Sequence, residues 1–238
     1  PRMARSLPYV LAALVLGAAG GWLAARKPDV TPAVSRLQMS VLRADQLTSS
    51  NVSFRPTRHA LAISPDGRTV VFSGSRNNAA QLYARSLDRA EATPIPGTDG
   101  GAAPFFSADG GSIGFWVGST LKRVPTAGGQ VATIAEIADG SRGSATWADD
   151  GTIFVSHGAG ISRVPSTGGS PVSVTASDRS TNVRQLLPHA LPGGRAILFT
   201  KVVGGGWESA TVNLLSLDTG EQRQLVQGGA DARYVDTG

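Results

Sequence analysis

Ile63-Ser64-Pro65-Asp66-Gly67, followed by Thr69-Val70-Val71-Phe72, decides how this chain folds. Asp-Gly takes up the positive φ angles of a tight turn, and β-branched and aromatic residues on both sides supply strands. The same device returns as Phe106-Ser107-Ala108-Asp109-Gly110 before Ile113-Gly114-Phe115, and as Trp147-Ala148-Asp149-Asp150-Gly151 before Ile153-Phe154-Val155. A looser copy, Ala190-Leu191-Pro192-Gly193-Gly194, precedes Ala196-Ile197-Leu198-Phe199, and Tyr234-Val235-Asp236-Thr237-Gly238 begins another. The closing glycines are spaced by 43, 41, 43 and 44 residues. A fixed period of about 40–45 residues is that of one four-stranded propeller blade.

Each period holds two further strand-like runs. The third strand is Gln81 to Leu87, Thr120 to Pro125, Gly160 to Pro165 or Val212 to Asp218. A second turn then leads to an outer strand: Thr93-Pro94-Ile95, Val131 to Ile134, Val172-Ser173-Val174 or Arg223 to Val226. Four strands in meander order predict an all-β fold, a β-propeller with four complete blades and a fifth beginning, over 58–238. The ring is expected to be open within these residues, and the sequence to be cut short at its C-terminal end.

Before the repeats, Leu7 to Ala25 is a run of 19 residues without charge. As a helix it would span roughly 28 Å, the hydrocarbon thickness of a bilayer. Tyr9 and Trp22 fall near its ends, as interfacial aromatics do. The reading is a basic juxtamembrane segment (1–6), a transmembrane helix (7–25) and a linker (26–57). A cleaved signal peptide is the competing reading, with Ala19-Gly20-Gly21 as its processing site. Ala13, Gly17, Gly21 and Ala25 recur every four residues, a small-residue stripe for helix–helix contact and a homodimer; Gly and Ala are also simply common in membrane helices. Two cations at each end leave the orientation open.

Composition excludes several functions. There is no cysteine, hence no disulfide, thiolate metal site or thiol nucleophile. The net charge is +5, but without Arg2, Arg5, Arg26 and Lys27 the chain has 18 basic residues against 17 acidic. With no basic stripe left, nucleic-acid binding is not expected. Gly110-Gly111-Ser112-Ile113-Gly114 matches the nucleophile elbow G-x-S-x-G, yet lies in register with a hairpin where an elbow needs a strand-to-helix turn. His59, His157 and His189 share no metal-ligand spacing, and no cofactor is expected. Asp66, Asp109, Asp149 and Asp150 resemble catalytic carboxylates, but their repeated position marks them as turn formers. Residues outside the repeat are the better candidates: the leader Asp139 to Gly143 and the insertion Gly204 to Glu208. Arg142, His157, His189 and Trp207 are the candidate ligand contacts, Trp207 equally fitting a packing role.

Ile63 to Phe72 is similar to the WD40-like PD40 repeat of TolB-type propellers. The succession of Gln81 to Asp88, Ala92 to Thr98, Pro104 to Ser107, Lys122 to Pro125, Leu191 to Arg195 and Ala232-Arg233-Tyr234, behind an apolar helix, resembles the C-terminal half of bacterial eukaryotic-like Ser/Thr protein kinases. That resemblance implies a kinase domain before the helix and a propeller outside the bacterial inner membrane, reading an extracytoplasmic protein, peptide or glycan. No Gly-rich ATP loop, His-Arg-Asp or Asp-Phe-Gly motif occurs here, so no catalytic residue is assigned. The same repeats belong to TolB-like periplasmic interaction proteins and to propellers of serine peptidases, and both readings stay open.

Overall fold

The structure is a computed structural model that describes residues 44–47, 60–137, 143–157, 160–175, 182–204 and 206–235. The segments read as a basic segment and membrane helix, and with them Ala13, Gly17, Gly21 and Ala25, lie outside the described residues, as do His59 and Arg142. Among the described residues no helix is long and apolar enough to cross a membrane.

The described chain is four antiparallel sheets in series. The first holds β1 (Gln46–Leu47), β2 (Leu61–Ile63), β3 (Thr69–Arg76), β4 (Ala79–Ser86) and β5 (Thr93–Pro94). The second holds β6 (Ala102–Phe106), β7 (Ser112–Val117), β8 (Thr120–Pro125) and β9 (Ala132–Glu136). The third holds β10 (Ala145–Trp147), β11 (Thr152–His157), β12 (Gly160–Pro165) and β13 (Val172–Ser173). The fourth holds β14 (Val183–Ala190), β15 (Ala196–Val203), β16 (Thr211–Ser216) and β17 (Gln222–Gln227). In each, strand order follows chain order, the meander of a propeller blade, with β2, β6, β10 and β14 at one edge. The first blade has one addition. β1, from the stretch read as linker, pairs with Gly74 and Ser75 of β3, beyond the reach of the three-residue β2.

The period reflects a local hydrogen-bond device. In the first turn Ser64 exchanges backbone bonds with Thr69 and Gly67, and Gly67 takes a φ of +70°. The Ser64 hydroxyl donates to Asp66 Oδ1 (2.5 Å) and accepts from the Thr69 N–H (2.9 Å). Asp66 Oδ1 in turn accepts the Arg68 N–H (3.0 Å). Ser107, Asp109, Gly111 and Ser112 repeat every one of these side-chain bonds in the second blade. In the third, Ala148 replaces the serine and Asp150 alone accepts, from the Thr152 N–H at 2.8 Å. The aspartates are turn formers, each satisfying orphan backbone donors next to a left-handed glycine.

Each second strand is buried on both faces, so it reads as a continuous apolar run rather than an alternating one. Ile113 and Phe115 of β7 pack with Val71, Leu82 and Ile95 of the first blade. Trp116, one residue on, packs with Ile153, Val155 and Val164 of the third. Phe154 of β11 points the other way, against Ile197, Phe199 and Leu215 of the fourth. The blades are thus held face to face by interdigitated apolar side chains. One cross-strand pair admits no side chain on β7. Phe105 stands opposite Gly114, and a Cβ there would meet the Phe105 ring at 2.3 Å. The same ring tilts against Trp147 of the next blade, centroids 6.2 Å apart.

Gly114→Ala is therefore expected to destabilise the fold by about 1–3 kcal/mol through overpacking, read as a fall in the denaturation midpoint at unchanged m-value. Gly118→Ala is a control for backbone strain alone, since its φ is +60° but nothing lies within 4 Å of its Cβ position.

Candidate functional site

The inner strands carry a second repeated feature that no sequence motif announces. Ala103, Leu187 and Asp231 occupy one position of the repeat, and all three have left-handed backbone, with φ of +50°, +54° and +54°. At Ala103 and Leu187 the inner strand bulges, and the register slips against β7 and β15. A bulge takes backbone groups out of the ladder, and once buried these need other partners. The preceding blade supplies them. The Leu187 N–H donates to Ser144 Oγ (2.8 Å), the Ala190 N–H to Thr146 Oγ1 (3.3 Å) and the Gly193 N–H to Asp149 Oδ2 (3.2 Å). The Asp231 N–H donates to Thr200 Oγ1 (2.9 Å) of the fourth blade. Residues 231–235 thus sit against the fourth blade much as Leu187 sits against the third. Ser144 is itself fixed by Ser156, whose hydroxyl accepts the Ser144 N–H at 3.1 Å.

Beside these strands lies a cleft of about 1100 Å³. Its wall repeats one position of the fold: Ile63, Phe106, Trp147, Ala190 and Tyr234 all line it. In sequence each stands four residues before a closing glycine, and Ala190 is the only small one of the five. One or two leading residues of each of the four turns also line it, Ser64 and Pro65, Ser107 and Ala108, Asp149, and Pro192, so the cleft opens at the rim that carries these turns. Ile63 and Tyr234 remain 58% and 49% exposed, apolar surface the blade packing does not use.

One charged group spans two repeats in this wall. Arg233 pairs with Asp231 at 2.9 Å and approaches His189 Nδ1 at 3.4 Å. Burial holds the His189 pKa below its ordinary value, the Arg233 cation lowers it further, and Asp231 opposes both. At neutral pH the imidazole is uncharged and can donate or accept one hydrogen bond to a ligand.

Of the described candidates, only His189 lines the cleft. His157 ends β11, with Nε2 2.6 Å from the buried Ser162 hydroxyl. Trp207 begins a short 3-10 helix (Trp207–Ser209) and packs on Leu186, Leu187, Val202 and Ala210. The structure does not bring these three together. Gly143, last residue of the leader, approaches Ser156 so closely that a Cβ would fall 1.5 Å from its carbonyl oxygen. Ser112 of the elbow-like motif is held at both backbone groups by Ser107, and its strand turns into β8 rather than a helix. Among the described residues no cluster of three or more His, Asp or Glu side chains is placed to hold a metal ion. Asp149, Arg233 and Tyr234 of the cleft were not among the sequence candidates; the period itself was the signal that could have found them.

No family model matches the sequence, and no curated protein matches it. The fold does match solved structures. TolB from Acinetobacter baumannii superposes with a TM-score of 0.58 at 18% identity, over 71% of this chain and 43% of that one. A TolB from Agrobacterium tumefaciens gives 0.60 at 18% identity, over 72% and 68%. Prolyl endopeptidases give 0.53 at 13% identity over 72% and 30%, so the chain spans less than half of two of these three relatives. The arrangement of blades is the one these solved β-propellers share.

Two pH effects follow. Hydrogen bonds from Ser64 and Ser107, then from backbone N–H groups, lower the Asp66 and Asp109 pKa values in the folded state. Their contribution to stability is present above the unfolded carboxylate pKa and is lost as pH falls through the folded one. Melting temperature is expected to drop on acidification below about pH 4, less steeply in Asp66→Asn/Asp109→Asn. His189 acts at higher pH with the same sign. Its neutral form favours the fold, so stability falls as pH drops below 6.5, and His189→Gln removes that part of the slope.

Proposed function

We propose that this chain is a propeller binding module whose cleft receives a segment of a protein or peptide. It is tethered at the bacterial inner membrane by residues 7–25, faces outward, and reports occupancy to a cytoplasmic Ser/Thr kinase domain encoded upstream. One observation carries the binding part: large apolar side chains recur at one position of the repeat and line one cleft, Ile63 and Tyr234 exposed, Phe106 and Trp147 half-buried. Rigid blades with exposed apolar groups at a concave mouth are the usual form of a recognition site. The tether rests on the uncharged run Leu7 to Ala25, and the kinase link on the sequence resemblance alone.

Random peptides displayed on phage and panned on the full chain test the cleft. Ala190→Trp fills the one gap among the large pre-turn residues and is expected to weaken selected clones by at least about tenfold, roughly 1.4 kcal/mol. Val172→Asp, on an exposed outer strand, is expected to leave them unchanged. Clones indifferent to Ala190→Trp contradict the assignment. Carbonate washing tests the tether: the anchored form stays with the membrane, and release excludes it. An upstream reading frame without a kinase domain removes the signalling part.

A further inference from the structure

The mouth of the cleft is charged in a direction opposite to the chain. The whole sequence carries +5. The four turns of the cleft rim carry Asp66, Asp109, Asp149 and Asp150, all exposed, against Arg68 and Arg195. Arg195 is already committed to Asp218 at 2.6 Å. Hydrogen bonds from Ser64 and Ser107 hold the Asp66 and Asp109 carboxyls below their ordinary pKa. Inside the cleft Arg233 and Asp231 neutralise each other, and His189 is uncharged at pH 7. Of the rim carboxylates Asp149 lines the cleft itself, and Asp66, Asp109 and Asp150 lie in turns whose other residues line it, so surplus negative charge borders an apolar wall that includes Phe106, Trp147 and Tyr234.

We propose that the occupant of the cleft is a basic, amphipathic peptide segment, its apolar side chains against the wall and its lysines or arginines at the rim carboxylates. The proposal rests on the binding role assigned to the cleft above and adds the chemistry of the partner. Rim charges of this kind steer encounter and select the sign of the partner more than they add affinity. A cation over the face of Trp147 or Tyr234 gains further from the ring quadrupole. A polyanion or an acidic peptide would meet Asp149 at the cleft and a net negative charge on the bordering turns.

The test uses the full chain and three fluorescein-labelled synthetic peptides of equal length, alternating Lys/Leu, Glu/Leu and Lys/Gly, followed by anisotropy. Lys/Leu is expected to bind at least about tenfold more tightly than either control, and to weaken several-fold as ionic strength rises from about 0.05 to 0.2 M. Asp149→Asn/Asp150→Asn is expected to weaken Lys/Leu about threefold to tenfold while keeping the melting temperature, because asparagine keeps the acceptors for the Gly193 and Thr152 N–H groups. Equal binding of Lys/Leu and Glu/Leu, both lost in Ala190→Trp, overturns the basic partner and leaves the cleft assignment standing. Lys/Leu binding that responds to the rim change but not to Ala190→Trp overturns the cleft assignment and the proposal with it. Indifference to Asp149→Asn/Asp150→Asn in a folded chain overturns the proposal alone.

Discussion

Among the described residues every inner strand pairs with another strand along one edge only. β2, β6, β10 and β14 end their sheets, and no described strand forms a ladder with the other edge of any of them. Backbone groups along such an edge must find water, side chains or a partner, because leaving them buried and unmet costs about as much as a lost hydrogen bond. The protein answers with short strands, with bulges at Ala103 and Leu187, and with hydroxyls reaching across from the blade before. The cleft is what this solution leaves: a wall of strand edges that cannot close on themselves, faced with the side chains that precede each turn. Site and architecture have one cause.

The blades were legible in the sequence because their turns are local chemistry. Ser-x-Asp-Gly writes its own hydrogen bonds within six residues, so each copy announces itself wherever it stands. The apolar runs beyond the turns were legible for a related reason: a strand buried on both faces needs no alternation, and Ile113 to Val117 and Thr152 to Val155 carry little. Features that depend on the neighbouring repeat were not legible. Ser144 meets Leu187 across 43 residues, and nothing near either marks the pair. Leu187 and Ala103 adopt a backbone that glycine usually announces, yet each is followed by proline, which ordinarily favours extended backbone before it. The two-residue β1 was hidden in a stretch whose composition reads as linker.

The site was legible only in part, and the reason is instructive. Residues outside the repeat attract attention as functional because the scaffold does not explain them. Here the cleft is lined by the repeat itself, by Ile63, Phe106, Trp147 and Tyr234 at a single position, and variation within the position is what shapes it. His189 stands out in the sequence because the chain has only three histidines. Arg233 and Asp231 stand at the edge of the last copy, where the repeat gives them no second example. Trp207, conspicuous in sequence, packs against its own blade. Solved propellers of the TolB type share the fold at 18% identity, which fixes the scaffold and leaves the wall free to differ.

The hydroxyl seam has a mechanical consequence. The first three blades are joined chiefly by apolar contact, with one backbone bond from the Gly169 N–H to the Ile134 carbonyl (3.3 Å) between the second and third. The third and fourth are also joined by directed bonds from Ser144, Thr146 and Asp149, and Thr200 carries the pattern on to Asp231. In an array where each unit feels only its neighbours, a stiffer coupling sets the size of the block that melts as one. The third blade, the fourth and the segment that follows are expected to behave as such a block. A load transmitted along the chain would part the protein at its N-terminal blades first, leaving Trp147, His189 and Tyr234 together on the half that holds.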